Sequence, residues 1–281
     1  MTDGTLDGTS MIADLNPGND GIDIGQFNSL IPHVWWNDVL YLRLDDGTDE
    51  TGPELWRTDG TVAGTYIVKD IREGSDSSGI SGLTLWEDHI YFNAYDGTHG
   101  YELWKSDGTA SGTIMVKDIN SGSSSSFPKN FEAMGNILYF SATDGTNGAE
   151  LWKSDGTSSG TVMVKNINIE GPPTANYGSL PFTLRTVGNT LYFSADDNTH
   201  GRELWKSDGT ASGTVMVKDI NQGGHSNPQR VTEVNGMLYF KANNGNNLHG
   251  VELWKSDGTS SGTVMVKDIK SGITSGNPLF M

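Results

Sequence analysis

Residues 102–109 read Glu-Leu-Trp-Lys-Ser-Asp-Gly-Thr, and this stretch decides the fold because it recurs along the whole chain. Glu-Leu-Trp begins at Glu54, Glu102, Glu150, Glu203 and Glu252, so successive copies are 48, 48, 53 and 49 residues apart. Self-similarity at a period of roughly 20–50 residues is typical of solenoids, propellers and other repeat folds. The chain of 281 residues therefore contains five full copies of one unit.

Each copy contains four short segments with the composition of β-strands. In the third copy they cover residues 131–134, 137–142, 150–154 and 161–167, and we name them segments A, B, C and D. They are rich in β-branched and aromatic residues and are bounded by Gly, Asn, Asp and Ser. Segments B and D carry adjacent apolar residues instead of a clean alternation, which predicts a sheet buried on both faces.

A small four-stranded sheet covered on both faces is what the blade of a β-propeller requires, since each blade lies between two neighbours. The sequence therefore predicts an all-β fold, a β-propeller of four-stranded antiparallel blades. Five blades are favoured, with six as the alternative, because the partial repeats 1–15 and 270–281 could form a further degenerate blade. We expect a single domain over 1–281 with repeats at about 16–71, 72–119, 120–167, 168–220 and 221–269.

The hairpin between segments C and D is predicted in register. Folding the second copy symmetrically about its turn sets Trp104 against Met115, and it sets Glu102 against Lys117. Such cross-strand charge pairs contribute only about 0.2–1 kcal/mol each, so five of them would mainly fix register. In the turn, Asp is expected to accept backbone N–H groups while Gly takes a positive φ, a structural role that we favour over metal binding.

Composition excludes several classes of function. With 35 acidic and 18 basic residues, the net charge of −17 repels phosphate and anionic lipid, so neither nucleic acid nor a membrane is an expected partner. The absence of cysteine excludes disulfides, thiol catalysis and Cys-ligated metals. The chain has no apolar run of about 18 residues that could span a membrane. Residues 1–15 lack the basic and apolar regions of a signal peptide.

The repeated octapeptide resembles the bacterial ELWxxDGT repeat family, whose members are tandem repeats of large extracellular proteins. The first copy reads Glu-Leu-Trp-Arg-Thr-Asp-Gly-Thr and the other four read Glu-Leu-Trp-Lys-Ser-Asp-Gly-Thr, so the resemblance covers nearly the whole chain. The resemblance implies a secreted or cell-surface protein. A larger repeat array or an oligomer is left open as its context. It implies no chemistry, because the family offers no functional residues to carry over.

Comparison of the copies separates a constant side of the repeat from a variable one. From the Trp to the end of segment D the distance is 14 residues in every copy, whereas the D-to-A and B-to-C connections differ in length. In an up-and-down blade these two connections emerge on the same face. Because binding residues concentrate on loops held by a rigid scaffold, this face is the candidate binding face. The alternative is that these loops differ in length because nothing constrains them.

Candidate ligand-binding residues are aromatic and imidazole side chains. Tyr95 and Tyr101 flank the B-to-C loop of the second copy, where an exposed ring could stack on a sugar. The histidines precede the loop glycine, and a turn with positive φ is their structural alternative. Trp35 occupies a position that is not uniformly apolar among the copies, so it is a ligand platform or fills a central channel. The full set is Trp35, Tyr95, His99, Tyr101, Tyr177, His200 and His249.

An acidic cluster in the first copy is a candidate calcium site. Four carboxylates fall within six residues, and two more precede them in the same blade. Calcium takes six to eight oxygen ligands, which such a cluster could supply. The spacing matches neither an EF-hand nor an RTX loop, so a solvated acidic loop is the alternative, and Ca²⁺ is the one cofactor to consider. The predicted ligands are Asp45, Asp46, Asp49 and Glu50, with Asp20 and Asp23 nearby.

No stretch of the sequence has the pattern of a catalytic site, so we do not predict an enzyme. The leading hypothesis is a non-enzymatic, multivalent, lectin-like module that binds a glycan or another extracellular polymer, because several weak equivalent sites yield avidity. The first alternative is a structural adhesin or matrix segment stabilised by divalent cations. A glycosidase with two carboxylates across a pocket is the less favoured alternative.

Overall fold

The structure, a computed structural model, describes residues 32–47, 50–169, 177–245, 250–269 and 276. This part of the chain is all-β, with twenty strands in five four-stranded antiparallel sheets. None of the described residues forms a helix that could cross a bilayer. By internal contacts the chain divides into two compact units, residues 1–129 and 130–281.

Unit 1 contains two sheets, each an antiparallel meander whose strands are neighbours in chain order. Sheet 1 consists of β1 (His33–Trp36), β2 (Val39–Leu44), β3 (Glu54–Thr58) and β4 (Tyr66–Lys69). Sheet 2 consists of β5 (Ser81–Trp86), β6 (His89–Tyr95), β7 (Tyr101–Ser106) and β8 (Ile114–Lys117).

Unit 2 contains three sheets of the same kind. Sheet 3 consists of β9 (Lys129–Met134), β10 (Ile137–Thr143), β11 (Ala149–Ser154) and β12 (Val162–Lys165). Sheet 4 consists of β13 (Phe182–Val187), β14 (Thr190–Asp196), β15 (Arg202–Ser207) and β16 (Val215–Lys218). Sheet 5 consists of β17 (Gln229–Val234), β18 (Met237–Asn243), β19 (Val251–Ser256) and β20 (Val264–Lys267). The four strands of each sheet correspond to segments A to D of one copy.

The apolar core of each unit lies between consecutive sheets. In unit 1, Tyr41 and Leu55 of sheet 1 pack with Phe92 and Trp104 of sheet 2. Clusters of the same composition join sheet 3 to sheet 4 and sheet 4 to sheet 5 in unit 2. In sheets 2, 3 and 4 the second strand is buried along most of its length, as its adjacent apolar residues predict. The repeated tryptophans are each only 6% exposed: Trp56, Trp104, Trp152, Trp205 and Trp254.

The Asp-Gly-Thr turn joins each sheet to the preceding sheet of its unit. Lys153 of sheet 3 donates from Nζ to the carbonyl oxygen of Gly209 in sheet 4 (2.9 Å), and a methyl group on Gly209 would collide with the Tyr139 hydroxyl. Within the turn, Asp208 Oδ1 accepts the N–H (2.8 Å) and the hydroxyl (2.7 Å) of Thr210. The structural role predicted for this turn is confirmed. The same tyrosine contact recurs between Tyr41 and Gly108 and between Tyr192 and Gly258.

The prediction of glutamate–lysine pairs across the C–D hairpin is wrong. Trp104 does face Met115, but the register shifts between Leu103 and Trp104, so Lys117 lies opposite Leu103 and not Glu102. The shift recurs in the other four sheets, and a one-residue slip turns a side chain to the opposite face. Fourth-strand lysines instead donate to threonine carbonyls of the next sheet: Lys69 to Thr113 (2.7 Å), Lys165 to Thr214 (2.8 Å) and Lys218 to Thr263 (2.7 Å).

We expect Gly209→Ala to destabilise the protein more than Gly223→Ala. Both glycines have a positive φ, +87° and +82°, so both variants carry a left-handed strain of roughly 1–2 kcal/mol. Only Gly209 lies under a tyrosine hydroxyl, whereas the space around Gly223 is open. Crowding should add about 1–3 kcal/mol at Gly209. Urea unfolding of both variants measures the difference, and equal losses would refute the role of the Tyr139 contact.

Candidate functional site

The B–C loops and the D–A connections meet at one edge of each sheet, as expected for the variable face. In unit 1, Gly52 N donates to Gly74 O (3.1 Å), which joins the β2–β3 loop to the β4–β5 connection. In unit 2, Ala149 N donates in the same way to Tyr177 O (2.7 Å). Side chains from two separate segments are therefore brought to one place on each sheet.

The buried glutamate of each Glu-Leu-Trp motif holds these segments together through hydrogen bonds to its carboxylate. Glu102 is fully buried, and its carboxylate accepts the Ile119 N–H (2.8 Å), the Ser126 N–H (2.9 Å) and the Ser126 hydroxyl (2.6 Å). One carboxylate thus holds both ends of the connection that follows β8. The other copies pair Glu54 with Ser78, Glu150 with Ser179, Glu203 with Ser226 and Glu252 with Gly276.

Burial perturbs the ionisation of these carboxyl groups. It raises the pKa of Glu54, Glu102 and Glu203 to about 7, although the hydrogen bonds from serine and backbone N–H groups oppose the shift. Burial also raises the pKa of Glu150. Because these groups point into the connection and not into a cavity, we assign them a structural role. The signal for them in the sequence is a serine 23 to 29 residues after the glutamate in four copies.

His99 and His200 lie in the B–C loops, where each ring is bound to an aspartate three residues earlier. His99 Nδ1 lies 2.7 Å from Asp96 Oδ2, and His200 Nδ1 lies 2.8 Å from Asp197 Oδ2. These hydrogen bonds raise the pKa of both histidines. Neither histidine has a positive φ, so the prediction that these residues serve the turn through a positive φ is wrong. The aspartate, which accepts hydrogen bonds from the turn, builds it instead. His249 lies outside the described residues.

The third copy replaces this imidazole with an amide. Asn147 Nδ2 donates to Asp144 Oδ2 (2.7 Å), as the histidine ring does in sheets 2 and 4. Asn147 Oδ1 accepts from Asn166 Nδ2 (2.8 Å), where the second copy has Asp118. The copy that has Asn147 in place of the histidine also has Asn166 in place of the aspartate. The hydrogen bond between these two asparagines links the B–C loop to the end of the fourth strand.

Tyr95 and Tyr101, both predicted to bind ligand, lie in one row with two residues that the sequence patterns did not indicate. The ring centroids of Tyr95 and Tyr101 are 5.5 Å apart, and those of Tyr101 and Phe127 are 5.7 Å apart with only 22° between the ring planes. The Arg72 guanidinium lies 4.8 Å from the centre of the Tyr95 ring. We call this row, Arg72, Tyr95, Tyr101 and Phe127, the aromatic strip. It is built from three segments of unit 1.

Phe127 is both exposed and strained. Its side chain is 46% exposed and its φ is +48°, a region that bulky residues avoid. The equivalent residues, Gly79, Leu180 and Asn227, also have positive φ, so the backbone requires this conformation. Gly or Asn adopts it with less strain. An exposed aromatic residue that is held in a strained backbone conformation indicates a functional constraint. The sequence signal is Ser-Phe-Pro at 126–128 against Ser-Asn-Pro at 226–228.

Sheet 4 carries different chemistry at the same place. His225 Nδ1 accepts the Arg202 N–H (2.9 Å), as Ser125 Oγ accepts the Tyr101 N–H (3.0 Å) in sheet 2. Asp196 Oδ2 lies 3.4 Å from His225 Nδ1, and both residues line a small polar cavity of about 220 Å³. The aromatic strip is therefore a feature of the second copy and not of the repeat.

Two further candidates for ligand binding lie elsewhere. Trp35 lies on β1 in the other sheet of unit 1 and is 63% exposed. Tyr177 belongs to unit 2, is 50% exposed and uses its carbonyl oxygen to hold Ala149. Their assignment as ligand-binding residues stays a prediction.

The predicted calcium ligands lie only partly within the described residues. Asp45 and Asp46 each accept a hydrogen bond within their own loop (2.9 and 3.3 Å), and Glu50 is exposed. Asp49, Asp20 and Asp23 lie outside the described ranges. Within those ranges, no group of three or more His, Asp or Glu side chains is arranged to hold a metal ion. The calcium site stays a prediction.

We expect the free energy of unfolding to fall as pH rises from about 5 to about 8. A carboxyl group whose pKa is raised on folding stabilises the fold fully below its unfolded value, near 4.5, and this contribution is lost as pH rises through about 7. The raised pKa values of His99 and His200 act in the same direction. Glu203→Gln should flatten the dependence by at most about 1.4 kcal/mol per pH unit.

Urea unfolding at four pH values between 5 and 8 measures both effects. The absolute stability of Glu203→Gln is expected to be lower, because its amide donors face backbone donors, but the test concerns the slope with pH. A wild-type protein that becomes more stable from pH 5 to pH 8 would contradict the assignment.

The sequence matches no family model and no curated protein. Similar solved structures include a puromycin hydrolase mutant complexed with PGG (TM-score 0.51, 11% identity, covering 84% of this chain and 37% of that chain). They also include puromycin hydrolase itself (0.51, 12%, 84% and 38%) and oligopeptidase B from Leishmania major (0.49, 12%, 94% and 36%). This chain therefore spans well under half of those proteins.

These structural neighbours are β-propeller proteins, and the likeness to the puromycin hydrolase structures shows the fold alone. The predicted fold class is confirmed: the fold is an all-β propeller, and the described residues form five four-stranded antiparallel blades.

Proposed function

We propose that this protein is a non-enzymatic, lectin-like binding module and that the aromatic strip is its principal ligand site. The observation that carries the proposal is Phe127, which is exposed and strained while its ring stacks on Tyr101. The apolar C–H face of a sugar ring packs against such an aromatic face through dispersion and the removal of apolar surface from water.

The strip is ordered before any ligand arrives, which supports a binding role. Tyr95 and Tyr101 are cross-strand partners at the ends of β6 and β7, so their backbones are fixed. Arg72 is held over Tyr95 by Asp76 Oδ2 (2.8 Å) and by the Ser77 carbonyl (3.3 Å). Rigid aromatic side chains lose little conformational entropy on binding, so most of the contact energy remains as affinity.

Charge around the strip favours a neutral or amine-bearing polysaccharide over an acidic one. The Arg72 guanidinium is paired with Asp76, and Asp96 directly follows Tyr95. The protein as a whole carries a net charge of −17. An acidic polymer would meet repulsion at this surface, whereas an uncharged sugar or a sugar amine would not.

The loops and not the repeated motif are the proposed site of function. The Glu, Lys, Asp and Gly of Glu-Leu-Trp-Lys-Ser-Asp-Gly-Thr all have structural partners within the blades. In the described residues the strip occurs in one copy, so multivalency would come from several copies of the chain. The resemblance to ELWxxDGT repeats supports a secreted or cell-surface location for such a module.

A depletion assay with insoluble cellulose, chitin and chitosan and with bead-coupled alginate tests the function. We expect the full chain to bind at least one of cellulose, chitin and chitosan and to leave alginate, an acidic polymer, unbound. Binding should persist after chelation with EDTA, because no part of the strip needs a cation. Absence of binding to all four polysaccharides would overturn the proposal. Loss of both binding and thermal stability on chelation would favour the cation-stabilised structural alternative.

Phe127→Asn should weaken polysaccharide binding by at least about tenfold, equal to about 1.4 kcal/mol, without destabilising the protein. Asn227 adopts a φ of +49° at the equivalent position, so the substitution relieves strain and should raise stability by up to about 1 kcal/mol. Binding isotherms and urea unfolding measure the two effects. Leu180→Asn is the matched control, because Leu180 has a φ of +47° at the equivalent position outside the strip. Loss of binding in Trp35→Ala but not in Phe127→Asn would move the site to β1.

A further inference from the structure

Two chain segments that build the aromatic strip share one buried carboxyl group. Tyr101 precedes Glu102 at the start of β7, and Phe127 follows Ser126 in the connection after β8. The Ser126 N–H and hydroxyl both donate to the Glu102 carboxylate, at 2.9 and 2.6 Å. The stacked rings are therefore the immediate neighbours of a buried hydrogen-bonded pair.

Backbone hydrogen bonds complete the connection between the two rings. The N–H groups of Ser126 and Phe127 donate to the Tyr101 carbonyl (3.0 and 3.1 Å), and the Tyr101 N–H donates to Ser125 Oγ (3.0 Å). At the start of the connection, just after β8, the Ile119 N–H also donates to the Glu102 carboxylate (2.8 Å). A change at Glu102 thus acts on both ends of the segment that carries Phe127.

We propose that Glu102 is a positioning residue that holds Phe127 in stacking contact with Tyr101, so that ligand affinity at the strip follows the ionisation of this carboxyl group. The inference rests on the proposed function of the strip. Hydrogen bonds to an ionised carboxylate are roughly twice as strong as neutral ones. When Glu102 is protonated, this charge is lost and the carboxyl O–H needs a hydrogen-bond acceptor. Ser126 Oγ is placed to accept that hydrogen bond. The serine hydroxyl then turns to the Tyr101 carbonyl, 3.2 Å away, and the connection is held less tightly.

Other titratable groups face the same spot. His99 on the β6–β7 loop feels the charges of Glu102 and of Asp118 at the end of β8, and Asp96 binds its ring. Burial raises the pKa of Glu102 to about 7, and the bond to Asp96 raises the pKa of His99, so the two groups must be told apart in a pH titration. The third copy supplies the variant that separates them, because Asn147 keeps the aspartate hydrogen bond without titrating.

Sheet 4 provides a matched control for the buried pair. Glu203 accepts the Ser226 hydroxyl (2.5 Å) and the N–H groups of Ile220 (3.0 Å) and Ser226 (3.1 Å), and burial raises its pKa to about 7 as well. Arg202 precedes Glu203 in the chain. Asn227 follows Ser226, at the position that Phe127 occupies after Ser126. The same substitution therefore breaks the same hydrogen bonds in both sheets but touches aromatic rings in only one.

The test is calorimetric titration of the full chain with N-acetylated chitohexaose and with cellohexaose, neutral probes whose charge does not change with pH. We expect wild-type affinity to fall at least fivefold from pH 8.5 to pH 5.5. The fall should persist in Glu203→Gln and His99→Asn and should be absent in Glu102→Gln, which binds weakly at every pH. Ser126→Ala should weaken binding, whereas Ser226→Ala should not. A pH dependence that disappears in His99→Asn or persists in Glu102→Gln would overturn the inference.

A measurement without ligand distinguishes this inference from the proposed function. Nuclear Overhauser contacts between the Tyr101 and Phe127 rings report their stacking directly. We expect Glu102→Gln to lose these contacts and Glu203→Gln to keep them. If wild type binds neither probe and none of the polysaccharides of the depletion assay, the proposed function fails, and lost ring contacts in Glu102→Gln still support the positioning role. If the contacts survive in Glu102→Gln, the positioning role is wrong whether or not sugar binds.

Discussion

A buried carboxylate at the start of each third strand is the interaction on which the loop face of this protein depends. Taking a charge out of water is costly unless it is fully hydrogen-bonded, and Glu102 meets this cost with three donors from one connection. The raised pKa shows that the compensation is incomplete. Removing the glutamate would leave the Ile119 N–H without this acceptor and would leave Ser126 bound to the Tyr101 carbonyl alone.

The same carboxylate explains how the loops vary without disturbing the blades. It fixes both ends of the connection, so residues inserted between these ends need not move either strand. Ser179 returns to Glu150 across 29 residues, whereas Ser226 returns to Glu203 across 23. The fixed hydrogen bonds thus allow each copy a different loop, and the second copy uses this freedom for its aromatic rings. The repeated residues hold the blades, and the aromatic strip lies where one copy departs from the repeat.

The sequence predicts what is local and repeated. The strands and the Asp-Gly turn follow from composition and spacing within one copy, and both are found in the described residues. The inward turn of Glu102 was not predictable from turn symmetry, because the register shift at Leu103 is a single residue in a strand of ordinary composition. Phe127 was missed for a different reason: its strain is a property of the backbone, visible only once Gly79 and Asn227 show that the position requires a positive φ.

Folding and binding place opposite demands on Glu102. The folded protein binds a proton at this carboxyl more tightly than the unfolded chain does, because burial disfavours the charge. The stacked pair of Tyr101 and Phe127 depends instead on the ionised form, whose hydrogen bonds to Ser126 are stronger. Acid therefore favours the fold while it loosens the strip. Under the positioning role proposed for Glu102, the two demands meet on one side chain, so the proposed ligand site should weaken under the conditions that stabilise the fold.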